Sequence, residues 1–178
     1  ALEKLISILR STPENGWVRV NNNQFQDVGT PTGLLVSPSK APDSQPWGPD
    51  NIINAFSSFA WDSRRGDLII YGGGHANYAG NDVYRWRGTT LNWERMSLPS
   101  DISSLGTGYA WLTVDGPNSS PQSMHTYDSN LYLPIVDRFL TFGGAGFNYG
   151  LPYIIQDPNG TITISGESGK FRVTGPYF

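Results

Sequence analysis

Apolar positions in this chain recur with two different periods, and the change of period divides it. Leu2, Leu5, Ile6 and Leu9 follow helical spacing until Pro13 and Gly16 interrupt it, which predicts a short amphipathic helix over residues 2–11. So short a helix needs a supporting surface, either its own domain or an oligomeric or docking contact. Residues 21–54 are rich in Asn, Pro, Ser, Asp and Gly, with four prolines between Ser37 and Pro49. They read as a long loop with at most one short strand, anchored by Trp47.

From Ala55 strand patterns take over. AFSSFAWD (55–62), DLIIYGGG (67–74), DVYRWRG (82–88) and NWERMSL (92–98) read as four short strands. The second is continuously apolar, as in a strand buried on both faces. The third alternates, with Tyr84 and Trp86 on one face and Val83, Arg85 and Arg87 on the other. The turns SRRG (63–66) and Gly-Thr-Thr are tight, so one antiparallel sheet is expected.

The unit recurs in part. DRFLTFGG (137–144) matches GDLIIYGG (66–73), and the glycine pairs stand 71 residues apart, Gly72 against Gly143. SMHTYD (123–128) is aligned with SSFAWD (57–62), which makes Asp62 and Asp128 equivalent and suggests a turn-capping role for both. GWVRV (16–20) resembles NWERM (92–96), a Trp-led strand in each case, and 99–122 reads as an insertion. Four-strand units of this size, each closing on an aromatic, point to propeller blades.

At these residues the chain resembles kelch-repeat proteins, the family whose propellers include the central domain of galactose oxidase. That pattern is an apolar strand ending in Gly-Gly, a Tyr in the next strand and a Trp in the outermost one; here Gly72-Gly73, Tyr84 and Trp93. Residues 55–98 carry it whole. Residues 123–178 carry Gly143-Gly144 but no clear Tyr and no Trp, with Phe171 as a stand-in. The wording GGGHANYAGNDVYRW with HTYDSNLYLPIVDRFLTFGG also resembles kelch-like proteins of tailed phages and prophages, which implies a virion appendage such as a tail or tail-fibre component.

The resemblance implies an all-β fold of kelch-like β-propeller blades, each a four-stranded antiparallel sheet, behind an N-terminal helical segment (1–15). The β domain spans 16–178, with its best blade at 55–98 and a second at 123–178. A propeller closes with at least four blades, so the ring is incomplete. A longer polypeptide, other subunits, or a sandwich-like domain that borrows the motif would each account for that.

Composition narrows the function. Charged residues make up 15% of the chain and the net charge is -3, which disfavours nucleic acid as a partner. No run of 18 apolar residues occurs, so no membrane span is expected. The opening ALEKLISILR is too short and too charged for a signal peptide. With no cysteine, thiolate metal sites, a Cys nucleophile and the Tyr-Cys cross-link of galactose oxidase are excluded, and the redox compartment is unreadable. The glycines after Tyr71 open a polar loop and a strand rather than a helix, so they read as scaffold and not as a phosphate cradle.

Candidate ligand contacts lie in the loops after the glycine pairs, HANYAGND (75–82) and GAGFNYG (144–150). His75, Asn77, Tyr78, Asn81 and Asp82 in the first, Asn148 and Tyr149 in the second, and His125 beside them combine aromatic platforms with amide donors, a chemistry suited to sugar rings. The rings could equally pack their own loops. No ligand spacing announces a metal, and no cofactor or catalytic set is assigned. Asp62, Asp67, Asp82, Asp128 and Asp137 are acid/base candidates in number only. The sialidase Asp-box and the Gly-x-Ser-x-Gly elbow are absent. Arg65-Gly66-Asp67 spells an adhesion tripeptide, and Asn118 and Asn159 open sequons, all short matches.

The expected function is therefore non-enzymatic: a structural and binding protein of a phage virion, located in the particle, joined to other virion proteins or copies of itself and contacting host-surface polysaccharide. A propeller-based carbohydrate-active enzyme and a soluble kelch protein-interaction module are the alternatives.

Overall fold

The computed structural model describes residues 2–30, 51–54, 56–73, 78, 80–100, 102–104, 111–113, 120–121, 123–142, 145–146, 153–157 and 160–164; for 51, 102–104, 111–113, 145–146, 153–157 and 160–164 it describes the backbone alone. In chain order these form α1 (Glu3–Ser11), a 3-10 turn (Phe25–Val28), α2 (Asn51–Asn54), β1 (Phe59–Asp62), β2 (Asp67–Ile70), β3 (Tyr84–Arg87), β4 (Asn92–Arg95), β5 (Ile102–Ser104), β6 (Trp111–Thr113), β7 (Met124–His125), β8 (Asn130–Leu133), β9 (Arg138–Thr141), β10 (Ala145–Gly146), β11 (Tyr153–Asp157) and β12 (Gly160–Ile164). Strands β1-β2-β3-β4 make one antiparallel sheet, and β5-β6, β7-β10, β8-β9 and β11-β12 are two-stranded antiparallel pairs. The architecture is mainly strands in antiparallel sheets with few helices. No closed ring of sheets is found among the described residues.

Register assigns the two faces of the large sheet. Trp61 stands opposite Leu68, Leu68 opposite Trp86, and Trp86 opposite Trp93; one row over run Phe59, Ile70, Tyr84 and Arg95. Residues paired across strands share a face, so these rows form one side of the sheet. The N-terminal segment covers the part of it that β2, β3 and β4 form and leaves Phe59 and Trp61 of β1 exposed. Leu5 buries against Trp86 and Leu91, with Leu2, Ile8 and Val20 around them. Phe25 wedges between Tyr84 (4.7 Å) and Trp93 (5.1 Å, edge-on), joined by Ile52 and Ile70. Each such fully buried side chain is worth about 1.5–3 kcal/mol.

The helix forms where its pattern predicts, but with a different buried stripe. Leu2, Leu5 and Ile8 face the sheet, while Ile6 and Leu9 are exposed. Thr12 ends α1 by turning extended (ψ 128) before Pro13, and its N–H and hydroxyl both donate to Ile8 C=O. The expected strand at 16–20 does not form, and Trp17 is fully exposed. Its resemblance to Trp93 was one of composition only; Trp93 has a paired neighbour strand and a covered face, and Trp17 has neither.

Asparagines from the loop seal the outer edge of the sheet. The Asn23 side chain accepts from Trp93 N–H (2.7 Å) and donates to Trp93 C=O (3.0 Å), as a paired strand would. Asn22 donates from its backbone to Leu91 C=O and from its side chain to Thr90 C=O. Arg95 reaches back to Val28 and Gly29 carbonyls. An edge capped in this way is closed to strand addition from outside.

The second hairpin, β8-β9, packs against β1. Its loop, 134–137, matches the β1-β2 loop, 63–66, in length. Each loop ends in a residue with positive φ, Gly66 at 72° and Asp137 at 55°. Carrying the 71-residue offset through, Phe59 corresponds to Asn130 and Asp62 to Leu133. This corrects the sequence alignment of 123–128 with 57–62. Asp62 and Asp128 are not equivalent: Asp62 caps the first turn by accepting from the Arg64 and Arg65 amides, and Asp128 lies in a turn before β8.

Candidate functional site

Just beyond the end of β2, Gly72 and Gly73 have φ of 121° and 109°, conformations open to glycine alone. A Cβ on Gly72 would lie 2.7 Å from Met124 O, and Gly73 N–H donates to that same oxygen. The glycine pair is thus the crossing point where the approach to β8 passes the end of β2. The loop that follows carries the first candidate contacts.

Three of that loop's predicted residues are described, and all are buried. Asp82 and Tyr78 are fully enclosed and Asn81 nearly so. Asp82 Oδ2 accepts from Tyr84 Oη (2.5 Å) and Thr30 Oγ1 (2.7 Å), and Thr30 N–H donates to Tyr84 Oη. Among the described residues, Asp82 Oδ1 and Tyr78 Oη are buried and meet no hydrogen-bond partner. Burial pushes the Asp82 carboxyl above its ordinary range, only partly offset by the hydrogen bonds from Tyr84 and Thr30. Burial, and then the nearby Asp82 charge, push both tyrosines up, so they stay protonated, and Tyr84 donates to Asp82. The Tyr78 ring lies over Gly80, where a Cβ would meet it at 2.3 Å.

Asn81 ties the insertion to the sheet. Its amide donates to Ser120 Oγ (2.7 Å) and Pro121 O, and its oxygen accepts from Ser100 N–H. His125, also buried, sits in β7 opposite Ala145 with its ring 5.1 Å from Phe56. A buried Tyr78 or His125 ring offers no open stacking face to a sugar. His75, Asn77, Asn148 and Tyr149 lie outside the described residues, as do Asn118 and Asn159 of the sequons.

A second feature was not legible from sequence. Arg64, Arg65, Asp67, Arg85, Arg87, Thr89 and Leu2 line an open cleft of about 580 Å³ at the turn end of the sheet. The arginines come from one turn and one strand, brought together by the pairing of β2 with β3. They are balanced by acids. Glu94 accepts from Arg85 (2.8 Å) and Arg87 (3.1 Å), and Asp67 lies 3.7 Å from Arg85. The tripeptide Arg65-Gly66-Asp67 is unavailable for adhesion: Asp67 is buried and accepts from Gly88 N–H, and Arg65 is ion-paired.

That ion pair joins the two hairpins. Arg65 makes a bidentate contact with Asp137 (2.6 Å to each oxygen) and also reaches Asp62 Oδ2 (2.8 Å). Tyr132 Oη donates to Asp137 Oδ1 (2.6 Å). Hydrogen bonds from Arg65 and Tyr132 hold Asp137 well below the carboxylate range. At Asp62 burial pulls the other way, but the bonds from Arg65 and the turn amides outweigh it and its carboxyl also sits low. These acids cap and clasp turns. Among the described residues no group of three or more His, Cys, Asp and Glu could hold a metal ion, and no helix is long and apolar enough to cross a membrane.

Comparison with family models, curated proteins and solved structures finds no match to this chain.

Proposed function

We propose that the chain is a non-enzymatic structural and binding protein built from kelch-like blades, a component of a phage tail or tail fibre whose rim loops contact host-surface glycan. One observation carries the scaffold part: two hairpins of equal length, 71 residues apart, pack together and are clasped through equivalent turns by Arg65 and Asp137. Repetition of a packed unit is how blades build a propeller. The roles of Asp62, Asp67, Asp82, Asp137 and Glu94 in turn caps, backbone bonds and ion pairs support a scaffold over a catalytic centre. The virion assignment rests on the phage-like wording of the two glycine-strand motifs.

The test is a density-gradient separation of the native source, with the mass of this polypeptide read in each fraction. Co-sedimentation with particles supports a virion component; a free 19.6 kDa species rejects it and favours a soluble interaction module. A carbohydrate-active enzyme is the second reading; it would have to draw on Asp82, whose carboxyl is raised by the same burial that encloses it behind Tyr84 and Thr30. Reducing-sugar release that disappears in Asp82→Asn would establish it.

A further inference from the structure

The packing of the two hairpins has a direction. β1 packs against β8; its buried residues Ala60 and Asp62 lie on the side of the sheet opposite the aromatic rows. The Tyr132 hydroxyl of β8, pushed up by desolvation and by its bond to Asp137, is raised further by the nearby Asp62 charge. β8 meets β1 through Asn130, which donates to Ser58 and Tyr71 carbonyls, and Tyr132, which contacts Arg65. Alternation along a strand then turns Leu131 and Leu133 to the far side of β8, and Phe59 and Trp61 to the far side of β1.

Both far sides are apolar and open at the strands that meet inside the chain. Phe59 is 41% exposed and Trp61 48%; Leu131 is 41% exposed, and in the adjoining turn Val136 is 53% exposed. Val136 occupies the place that Arg65 holds one unit earlier, so the ionic clasp of the first turn has an apolar counterpart in the second. The same step that carries the first hairpin onto the second, applied once more, puts an incoming β1-like strand on Leu131 and Leu133. Among the described residues, the strand whose matching side is exposed is β1 itself, in another molecule.

We propose that a second copy of this chain docks head-to-tail, its Phe59 and Trp61 seated on Leu131, Leu133 and Val136 of the first. Because the two patches differ, the contact is heterologous and propagates to a ring or a filament rather than stopping at a two-fold dimer. This inference rests on the blade reading and adds the partner that completes an incomplete ring.

Sedimentation velocity over a concentration series tests it, with Trp61→Glu and Leu131→Glu as variants and Val136→Glu as a second, turn-located variant should Leu131→Glu fail to fold. The wild-type mass should rise with concentration. Each variant alone should remain a monomer, and an equimolar mixture of Trp61→Glu with either partner-face variant should form a 1:1 heterodimer, since each supplies the patch the other lacks. A wild type that stays monomeric, or a mixture that does, overturns the proposal. An Arg65/Asp137 double-mutant cycle on the monomer separates the two levels. Coupling with no association leaves the blade reading standing and removes the interface; no coupling removes the hairpin packing on which both depend.

Discussion

The hairpins β1-β2 and β8-β9 share strand length, loop length and a closing residue with positive φ, yet they are held very differently. In the first, β2 is covered by α1 and Phe25 on one side, β1 meets β8 on the other, and the sheet extends into β3 and β4. β8-β9 meets β1 on one side and is paired, among the described residues, only with itself. Local chemistry therefore made the same turn twice, and neighbours decided which copy became core. The contrast shows in the turn residues: Gly66 accepts the left-handed conformation freely, whereas Asp137 bears its strain and is held by Arg65 and Tyr132.

The sharpest way to break this comparison is at its crossing point. Gly72→Ala combines a forbidden φ with a Cβ driven into the Met124 carbonyl, so denaturant unfolding should show a loss of roughly 3 kcal/mol or more. A loss below about 1 kcal/mol would mean the hairpins do not cross there. Next, Ile69→Ala and Leu140→Ala truncate corresponding positions, one buried in the sheet and one half-buried in the second hairpin. The first should cost about 3 kcal/mol and the second about 1 kcal/mol; equal costs would end the distinction between core and appended hairpin. Gly66→Ala, with φ of 72° and the Leu2 side chain in the way, should cost about 1–2 kcal/mol.

The smallest effects are electrostatic, and they carry opposite signs. Asp137 has a depressed pKa, so it contributes stability above its unfolded value of 3.8 that is lost as pH falls through the folded pKa. Asp82 has a raised pKa, so its contribution is complete below 3.8 and is lost as pH rises through the folded pKa. Thermal midpoints across acid to neutral pH should therefore show Asp137→Asn losing its deficit against wild type in acid. Asp82→Asn should gain relative to wild type as pH rises. The Asp137 effect should also shrink in high salt, because its partner Arg65 is half exposed.

Much of the first sheet was legible from residues 55–98 alone. The alternation that put Tyr84 and Trp86 on one face is the alternation found, and the continuous run before Gly72 is buried as expected. The glycine offset of 71 was also readable and set the repeat; the neighbouring match of SMHTYD to SSFAWD misled because two similar aromatic-Asp endings outweighed spacing. Four of the candidate site residues proved internal, three of them in one loop and for a reason that sequence hides. Asn81, Asp82 and Tyr78 look like a polar loop, yet they meet Ser120 and Pro121, Thr30, and Ser123 respectively, partners distant along the chain.

By itself the sequence determined the local grammar of this protein: where strands alternate, where glycine permits a crossing, where Pro13 ends a helix. Those outcomes follow from backbone sterics and side-chain period, which act over a few residues. Only the tertiary structure decided that Leu2, Leu5 and Ile8 form the buried stripe, that Asn23 stands in for a missing strand, and that Arg65 reaches Asp137. Burial and pairing depend on what arrives from elsewhere in the chain, and no window of neighbouring residues contains that information.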